Sequence, residues 1–419
     1  MNAPQGSDLS AVAPKGCGPF VPVSGTAESL RLSIFERIRA AGAVSRAGIA
    51  KELSISPASV TTQTSALIEL GFVREEHLAQ ETGRGRPPIA LTVAPEAHLV
   101  AGLKLSDREN TAVICDFAGR QLAATALETP ATSSTAEIAE ATATLVARVC
   151  AEAGVDQQAL SAVCVGVPGF VVSRTGMVNW SPIMRARHVP LAQVLSTRLG
   201  KPVIIDNDAN LVALAELWFG VGREISDFAV VTIEHGVGMG LVVDHRLYSG
   251  ARGMGMELGH TKVALDGALC RCGQRGCLEA YVADYALVRE AALAMPGALP
   301  GAPIEHVLEA LHREAKAGNP TARSIFERAG KYLSMGMANV ANLFDPQLII
   351  LSGDRMQYDY LYSEAILEDM KRHALDAGAS LPPVEVHAWG DLLWASGAAA
   401  KALSYITELT LSETAVVER

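Results

Sequence analysis

The sequence predicts an α/β protein in which a small winged helix-turn-helix module precedes a larger α/β domain. Three observations lead to this fold class. The chain has 419 residues, which is too long for one ordinary domain. Its N-terminal part has the pattern of three short helices and two strands, whereas the rest alternates apolar strands with helices. Polar residues collect where these strands end, and open α/β sheets bind ligands at such ends.

Composition narrows the class of protein further. Hydrophobic residues make up 49% of the chain, which is enough for large cores. The net charge of −10 and the pI near 5.5 do not indicate nucleic-acid binding over the whole molecule, although a small DNA-binding module can lie within an acidic chain. The sequence shows no apolar run of about 18 residues and no secretory signal. Seven cysteines, three of them clustered, favour metal ligation in a reducing compartment, so we expect a cytoplasmic protein.

The N-terminal residues divide into a tail and a helical unit. Residues 1–27 are rich in Pro, Gly, Ser and Ala, which predicts a disordered tail. Residues 28–93 predict a winged helix-turn-helix DNA-binding domain. Its first helix places apolar side chains at helical spacing. Ser45 can cap a second helix, and Ser56 can cap a third that has Pro57 at its first position.

The third helix and the loop of the wing carry the candidate DNA contacts. The helix ends at Gly71, and strands over 72–74 and 89–93 flank the loop. The helix exposes short polar side chains that can approach a major groove, namely Ser59, Thr61, Thr62 and Gln63. Arg84 and Arg86 stand beside glycines in the loop, which suits insertion into a narrow minor groove. A small helical bundle used only for packing is the alternative.

The charge balance of this module predicts how it binds. Eight basic and seven acidic residues lie between Glu28 and Thr92. Because phosphate contacts supply much of the affinity for DNA, a single copy should bind only modestly. The module therefore implies a homodimer or tetramer that places two copies on a palindromic operator.

The larger domain is predicted over residues 97–405, with a C-terminal tail over 406–419. Its strands are expected at 98–105, 112–116, 121–127, 163–167, 203–205, 228–233 and 348–351, and its main helices at 134–153, 209–219, 325–343 and 391–409. One of these strands delivers Asp206, Asn207 and Asp208 at its C-terminal end, which favours a ligand site there. Capping of the following helix is the alternative role of these aspartates.

The segment from Glu257 to Glu279 predicts a metal site. Its metal-ligating residues are His260, Cys270, Cys272 and Cys277. Three thiolates and one imidazole are the ligands of a closed tetrahedral zinc site. A closed site leaves no coordination position for catalysis, so the predicted role of the zinc is structural. The two glutamates that flank the cluster become candidates for holding a polar ligand.

These motifs resemble the ROK family, which takes its name from repressors, open reading frames and sugar kinases. The resemblance rests on Asp206-Asn207-Asp208-Ala209-Asn210, on Glu257-Leu258-Gly259-His260, and on the cysteine run from Cys270 to Glu279. It covers about residues 97–405, and the winged module extends it to the repressor branch of the family. The family implies an actin-like, ribonuclease-H-like pair of α/β lobes around a cleft.

The resemblance also implies ligand roles for particular residues. It implies a sugar surrounded by Gly169, Asn207, Asp208, Glu257, His260 and Glu279, with Ser181 as a weaker member. It implies zinc on His260, Cys270, Cys272 and Cys277. Carboxylates suit a sugar because they accept hydrogen bonds from pairs of hydroxyl groups. In a kinase of this family, Asp208 would take the proton from the attacking hydroxyl.

The first hairpin of the larger domain departs from the kinase pattern. Kinases of the family carry a pattern like Gly-x-Asp-x-Gly-Gly-Thr there, and its glycines let backbone N–H groups reach the phosphates of ATP. This chain reads Gly102-Leu103-Lys104-Leu105-Ser106-Asp107-Arg108. A lysine replaces the metal-side aspartate, and Asp107 would repel a triphosphate. A second glycine turn at 236–240 is retained, but by itself it cannot form a nucleotide site.

The sequence therefore predicts a sugar-responsive transcriptional regulator, most simply a repressor that a sugar or sugar phosphate releases from DNA. It predicts no catalytic residue, because Asp208 is interpreted as ligand-binding. Two alternatives stay open. One is an active ATP-dependent sugar kinase with a DNA-binding appendage, and the other is a regulator controlled by a protein partner.

Overall fold

The structure is a computed structural model that describes residues 16–20, 27–77, 89–129, 134–295, 302–358, 363–375, 380–387, 390 and 392–417. Over these residues the chain forms a small N-terminal module and two α/β lobes. The predicted fold class is confirmed.

The N-terminal module contains three helices and a two-stranded antiparallel sheet. Its elements are α1 (Ala27–Ala41), α2 (Arg46–Glu52), α3 (Pro57–Glu69), β1 (Val73–His77) and β2 (Ile89–Val93). Ser45 Oγ accepts a hydrogen bond from Gly48 N, and Ser56 Oγ accepts one from Ser59 N, so both predicted caps form. The rings of Phe35 and Phe117 lie 5.0 Å apart, which joins the module to the first lobe.

The first lobe is built on a five-stranded mixed sheet. Its elements are β3 (Leu99–Lys104), β4 (Glu109–Asp116), β5 (Gln121–Glu128), α4 (Thr135–Ala153), β6 (Leu160–Val167), β7 (Phe170–Val172), β8 (Met177–Trp180), α5 (Leu191–Leu199) and β9 (Val203–Asn207). The strand order is β5-β4-β3-β6-β9, and β7 pairs with β8 as a separate hairpin. The parallel neighbours β6 and β9 end side by side, so the residues that follow them meet at one edge.

The second lobe repeats this arrangement. Its elements, after α6 (Asp208–Phe219), are β10 (Phe228–Ile233), β11 (Val237–Val243), β12 (Arg246–Tyr248), α7 (Glu279–Val282), α8 (Asp284–Ala294), α9 (Ile304–Lys316), α10 (Pro320–Phe344), β13 (Leu348–Ser352), α11 (Glu364–His373) and β14 (Val384–Val386). The last helix, α12 (Leu393–Val417), returns to the first lobe and packs on β3 and β6. The strand order is β12-β11-β10-β13-β14. Helix α6 packs against both α12 and β11, so it lies between the lobes.

Two expectations about the chain ends are corrected. Residues 16–20 of the predicted tail pack against the protein, because Cys17 N donates to Arg39 O at 3.0 Å and Gly18 N donates to Trp218 O at 2.9 Å. Cys17 is only 1% exposed. Residues 1–15 and 21–26 lie outside the described part of the chain.

The predicted C-terminal tail over 406–419 is also wrong for its described part. Helix α12 continues through Val417 and does not end at Leu409. Ile406 and Leu411 are buried, and no glycine or proline interrupts the chain after Gly397. The apolar spacing therefore extends the helix, and burial against the protein stabilises the extension.

A membrane-spanning helix would need a long apolar stretch. None of the helices in the described ranges is both long enough and apolar enough to cross a membrane.

Candidate functional site

The cleft between the lobes contains a cavity of about 320 Å³. All six residues that the sequence assigns to a sugar line it: Gly169, Asn207, Asp208, Glu257, His260 and Glu279. The first lobe and the start of α6 supply three of them, and the second lobe supplies the other three. A cavity of this size with a few convergent polar groups is typical of a small-molecule site.

Gly169 and Asn207 shape the floor of the cavity. Gly169 has a φ of +110°, and a Cβ on it would lie 2.4 Å from the carbonyl oxygen of Trp180, so no other residue fits without a shift of the backbone. Asn207 Nδ2 donates to Gly169 O at 2.9 Å, while its Oδ1 accepts from Ala209 N at 2.9 Å and caps α6. Helix capping and cleft lining therefore coincide at Asn207.

Asp206 has a structural role beneath the cavity. It is fully buried and does not line the cleft. Its Oδ1 accepts hydrogen bonds from Ser173 Oγ at 2.6 Å and Asn210 Nδ2 at 2.9 Å, and its Oδ2 lies 3.4 Å from Lys401 Nζ. Asp206 thus fixes the start of α6 against α12 and the β7–β8 hairpin, which positions Asp208.

Three carboxyl groups converge on the cavity. Burial raises the pKa of Asp208, and the nearby Lys104 ammonium opposes that rise. Glu257 keeps exposed surface within the cleft, but the surrounding protein together with Asp208 and Glu279 raises its pKa to about 7. Close to neutral pH, Glu257 can therefore either donate or accept a hydrogen bond.

The predicted metal ligands come together at the wall of the cavity. The ligand atoms of His260, Cys270, Cys272 and Cys277 all lie within 4.8 Å of one another. Cys270 Sγ is 3.7 Å from His260 Nδ1, and Cys272 Sγ is 3.7 Å from Cys277 Sγ. A tetrahedral zinc with Zn–S bonds near 2.3 Å needs ligand atoms about 3.8 Å apart. The four side chains therefore fit a metal ion of this kind.

Neighbouring groups connect the metal cluster to the cavity. Lys262 Nζ lies 2.9 Å from Cys277 Sγ, which offsets thiolate charge. Cys270 Sγ lies 3.5 Å from Glu279 Oε1, and Tyr285 Oη donates to the same oxygen at 3.3 Å. Tyr285 Oη also lies 3.6 Å from Cys270 Sγ, so this hydroxyl group links Glu279 to the cluster that contains His260.

Several lining residues escaped prediction from the sequence. Phe170 and Trp180 line the cavity with rings 5.5 Å apart, and Arg271 lies over the ring of Tyr285 at 4.2 Å. The position of Phe170 directly after the Pro168-Gly169 turn was the sequence feature that could have indicated its place in the cavity.

The weaker sugar candidate, Ser181, is not among the residues that line the cavity. Its side chain is 1% exposed and lies behind the cavity wall.

The DNA-binding candidates are partly described. Thr61 and Thr62 are exposed on α3, and their hydroxyl groups donate to backbone carbonyls one turn earlier. Ser59 is half-buried and its hydroxyl group contacts Ser56 Oγ. Gln63 Oε1 accepts a hydrogen bond from Nε of Arg31 in α1 at 2.9 Å. The predicted wing arginines, Arg84 and Arg86, lie outside the described residues.

Comparisons with known proteins agree with this geometry. A sequence model described as "ROK family" matches residues 100–404, which begins after the N-terminal module. A putative xylose repressor of Caldicellulosiruptor sp. strain Rt8B.4 is 28% identical over 351 residues, covering 82% of this chain and 86% of that protein.

Two solved structures extend the comparison. A ROK family transcriptional regulator, a homolog of the E. coli MLC protein, superposes with a TM-score of 0.76 at 23% identity, covering 92% of this chain and 98% of that one. This likeness shows a shared fold. A ROK hexokinase from Thermus thermophilus superposes with a TM-score of 0.63 at 32% identity, covering 74% of this chain and 99% of that one.

Proposed function

The chain belongs to the ROK family, and we propose that it is a DNA-binding transcriptional regulator controlled by a sugar or sugar phosphate in the interlobe cleft. One observation carries the proposal. The residues on the sugar side of the cleft converge on one cavity, whereas the hairpin on the nucleotide side carries Lys104 in place of the kinase aspartate, Ser106 and Asp107 in place of its two glycines, and Arg108 in place of its threonine. The similarity to a xylose repressor over most of both chains supports the same function.

The proposed mechanism couples the cavity to DNA through the lobes. A homodimer or tetramer places two N-terminal modules on a palindromic operator, with α3 in the major groove and the wing in the minor groove. A sugar that contacts both lobes favours one arrangement of them. If that arrangement holds the modules apart from the operator, the sugar releases the repressor.

The cavity can recognise a sugar through its carboxyl groups and rings. Asp208, Glu257 and Glu279 accept hydrogen bonds from hydroxyl groups, and protonated Glu257 can also donate one. The Phe170 and Trp180 rings offer apolar surface to the face of a sugar ring. With His260 Nδ1 on the metal side, Nε2 is the ring nitrogen left for a hydroxyl group.

Zinc is the proposed metal, held by His260, Cys270, Cys272 and Cys277. A bound zinc ion would cross-link the loop that carries these residues. The protein groups around it then hold Glu279 and His260 at fixed positions in the cavity. A site with three thiolates requires a reducing environment, so we place the protein in the cytoplasm.

We propose that the protein is not an active kinase. Lys104 Nζ lies 3.4 Å from the centre of the Trp394 ring and 3.7 Å from Glu234 Oε2, so an ammonium group occupies the place of the magnesium-side aspartate. Asp208 remains where a catalytic base would lie. An active kinase is therefore the second candidate function, and hydrolysis or transfer of the γ-phosphate of ATP would favour it.

A thermal-shift screen tests the sugar side of this proposal. Full-length protein is heated with D-xylose, other aldoses, N-acetylated aldoses and their phosphates, and separately with MgATP. A sugar that binds only the native state adds about 2.7 kcal/mol at a hundredfold excess over its Kd, so we expect the Tm to rise by several degrees.

The matched control is Glu257→Gln, which keeps the size of the side chain and removes its charge. Because the raised pKa of Glu257 means that its charge costs stability near neutral pH, we expect this variant to unfold no lower than the wild type without sugar and to show a smaller shift with it. Absence of a shift with every sugar, combined with ADP formation from MgATP or with specific capture of a protein partner, would replace the proposal with one of its alternatives.

A further inference from the structure

The hairpin between β3 and β4 carries charged side chains where it departs from the kinase pattern, and these side chains contact the opposite lobe. Arg108 Nη1 lies 2.7 Å from Glu305 Oε1 in the first turn of α9. Asp107 Oδ1 lies 3.5 Å from His235 Nε2, directly after β10. Together with the Lys104–Glu234 pair at 3.7 Å, three ion pairs of this hairpin cross the cleft.

A buried pair anchors these contacts on the second lobe. Arg355 donates to both oxygens of Asp284 at 2.6 Å, and both side chains are less than 5% exposed. Asp284 Oδ2 also lies 2.8 Å from His235 Nδ1, and Arg355 Nη2 lies 3.8 Å from Glu305 Oε1. The partners that meet the hairpin are therefore held in fixed positions.

The charges of this set balance. Its cations are Lys104, Arg108, His235 and Arg355, and its anions are Asp107, Glu234, Asp284 and Glu305. The His235 ring donates hydrogen bonds to the carboxylates of Asp107 and Asp284, which raise its pKa to about 9, so the ring is charged at neutral pH. A neutral set that pairs its members across the cleft offers no net attraction to an anion, and the hairpin lines the cavity with side chains that are already paired.

We infer that the hairpin Lys104–Arg108 is an interlobe latch, which holds the two lobes together without a nucleotide through the pairs Lys104–Glu234, Asp107–His235 and Arg108–Glu305. The hairpin Lys104–Arg108 and the carboxyl cluster line the same cavity, so holding the lobes together at the hairpin restricts the opening of that cavity. The lobes then rest in a bridged arrangement before any ligand arrives. This role is independent of whether the ligand is a sugar and whether the module binds DNA.

Partial exposure of the pairs makes the latch sensitive to salt. Asp107 is 56% exposed and Arg108 is 47% exposed, so mobile ions reach both pairs. Each exposed pair is weak alone, and the inferred effect depends on three pairs that connect the same two lobes.

The test measures the distance between the lobes directly. Donor and acceptor dyes are attached at positions 144 on α4 and 371 on α11, both exposed, and energy transfer is recorded in the full-length protein without sugar or DNA. The variants are Arg108→Gln and the triple change Lys104→Met, Asp107→Asn and Arg108→Gln. Arg148→Gln is the control, because it breaks a comparable pair with Glu152 inside α4.

We expect one short-distance population in the wild type and in the control. The triple variant should lower the ratio of bridged to open molecules by about tenfold, with the single variant between the two. A rise in salt towards 1 M should open the wild type without any substitution. If the distance distribution is the same in the wild type at low and high salt and in the triple variant, the latch does not exist.

Discussion

Replacing Asp208 with alanine is expected to abolish the response to sugar while the protein still binds its operator. Asp208 stands at the first position of α6 and faces the cavity between the lobes. A charged acceptor that receives hydrogen bonds from two hydroxyl groups contributes about 1.5–3 kcal/mol for each bond. We therefore expect sugar affinity to fall by at least about a hundredfold.

The same change should not unfold the protein. Burial disfavours the charged form of Asp208 and raises its pKa, so removal of the carboxylate relieves a desolvation cost. Calorimetric titration with the sugar and a melting curve without it measure the two effects separately. Asp156→Ala is a control in the same lobe, because Asp156 is exposed and remote from the cavity. Wild-type sugar affinity in Asp208→Ala would remove this residue from the site.

The second large effect is expected from Cys272→Ser, which removes one of four metal ligands. Cys272 is exposed, so the substitution disturbs packing little and tests ligation itself. Structural zinc sites of this class contribute apparent binding free energies of about 10–16 kcal/mol at neutral pH. We therefore expect zinc content to fall well below one equivalent and the Tm to drop, as measured by metal analysis and melting of the same sample.

Loss of the metal should also weaken sugar binding, because His260 is one of the metal ligands and Tyr285 links Glu279 to Cys270 of the cluster. The matched control is Cys150→Ser, a cysteine of α4 outside the cluster, which should keep its zinc. Undiminished zinc in Cys272→Ser would contradict the four-ligand assignment.

The residues that meet at the cavity could be predicted from the sequence because they lie in contiguous motifs at the ends of strands. Asn207 and Asp208 follow β9, and the residues from Glu257 to Glu279 are close in the chain. The placement of these motifs predicts a metal site and a ligand site, the family resemblance implies that the ligand is a sugar, and the structure brings all six residues of that implied site to one cavity.

Contacts between distant parts of the chain could not be predicted in this way. Lys401 approaches Asp206 from α12, and Glu305 meets Arg108 from α9, although nothing in either local sequence indicates its partner. Cys17 packs against α1 for the same reason: a composition typical of disorder does not reveal that a few residues find backbone partners elsewhere. Ser181 directly follows β8 and is buried, which its local sequence does not indicate.

The most direct test of a sugar-responsive regulator is the thermodynamic coupling between sugar and operator. A duplex selected by the full-length protein from random sequences serves as the operator, and a sugar from the thermal-shift screen serves as the ligand. Operator affinity is measured across a titration of the sugar, and sugar affinity is measured with and without operator, at one fixed salt concentration.

Linkage requires the two ligands to change each other's affinity by the same factor. We predict that the sugar weakens operator binding by about tenfold or more, that the operator weakens sugar binding equally, and that Asp208→Ala removes the effect. A sugar that binds the wild-type cavity but leaves operator affinity unchanged throughout the titration would contradict the proposed function.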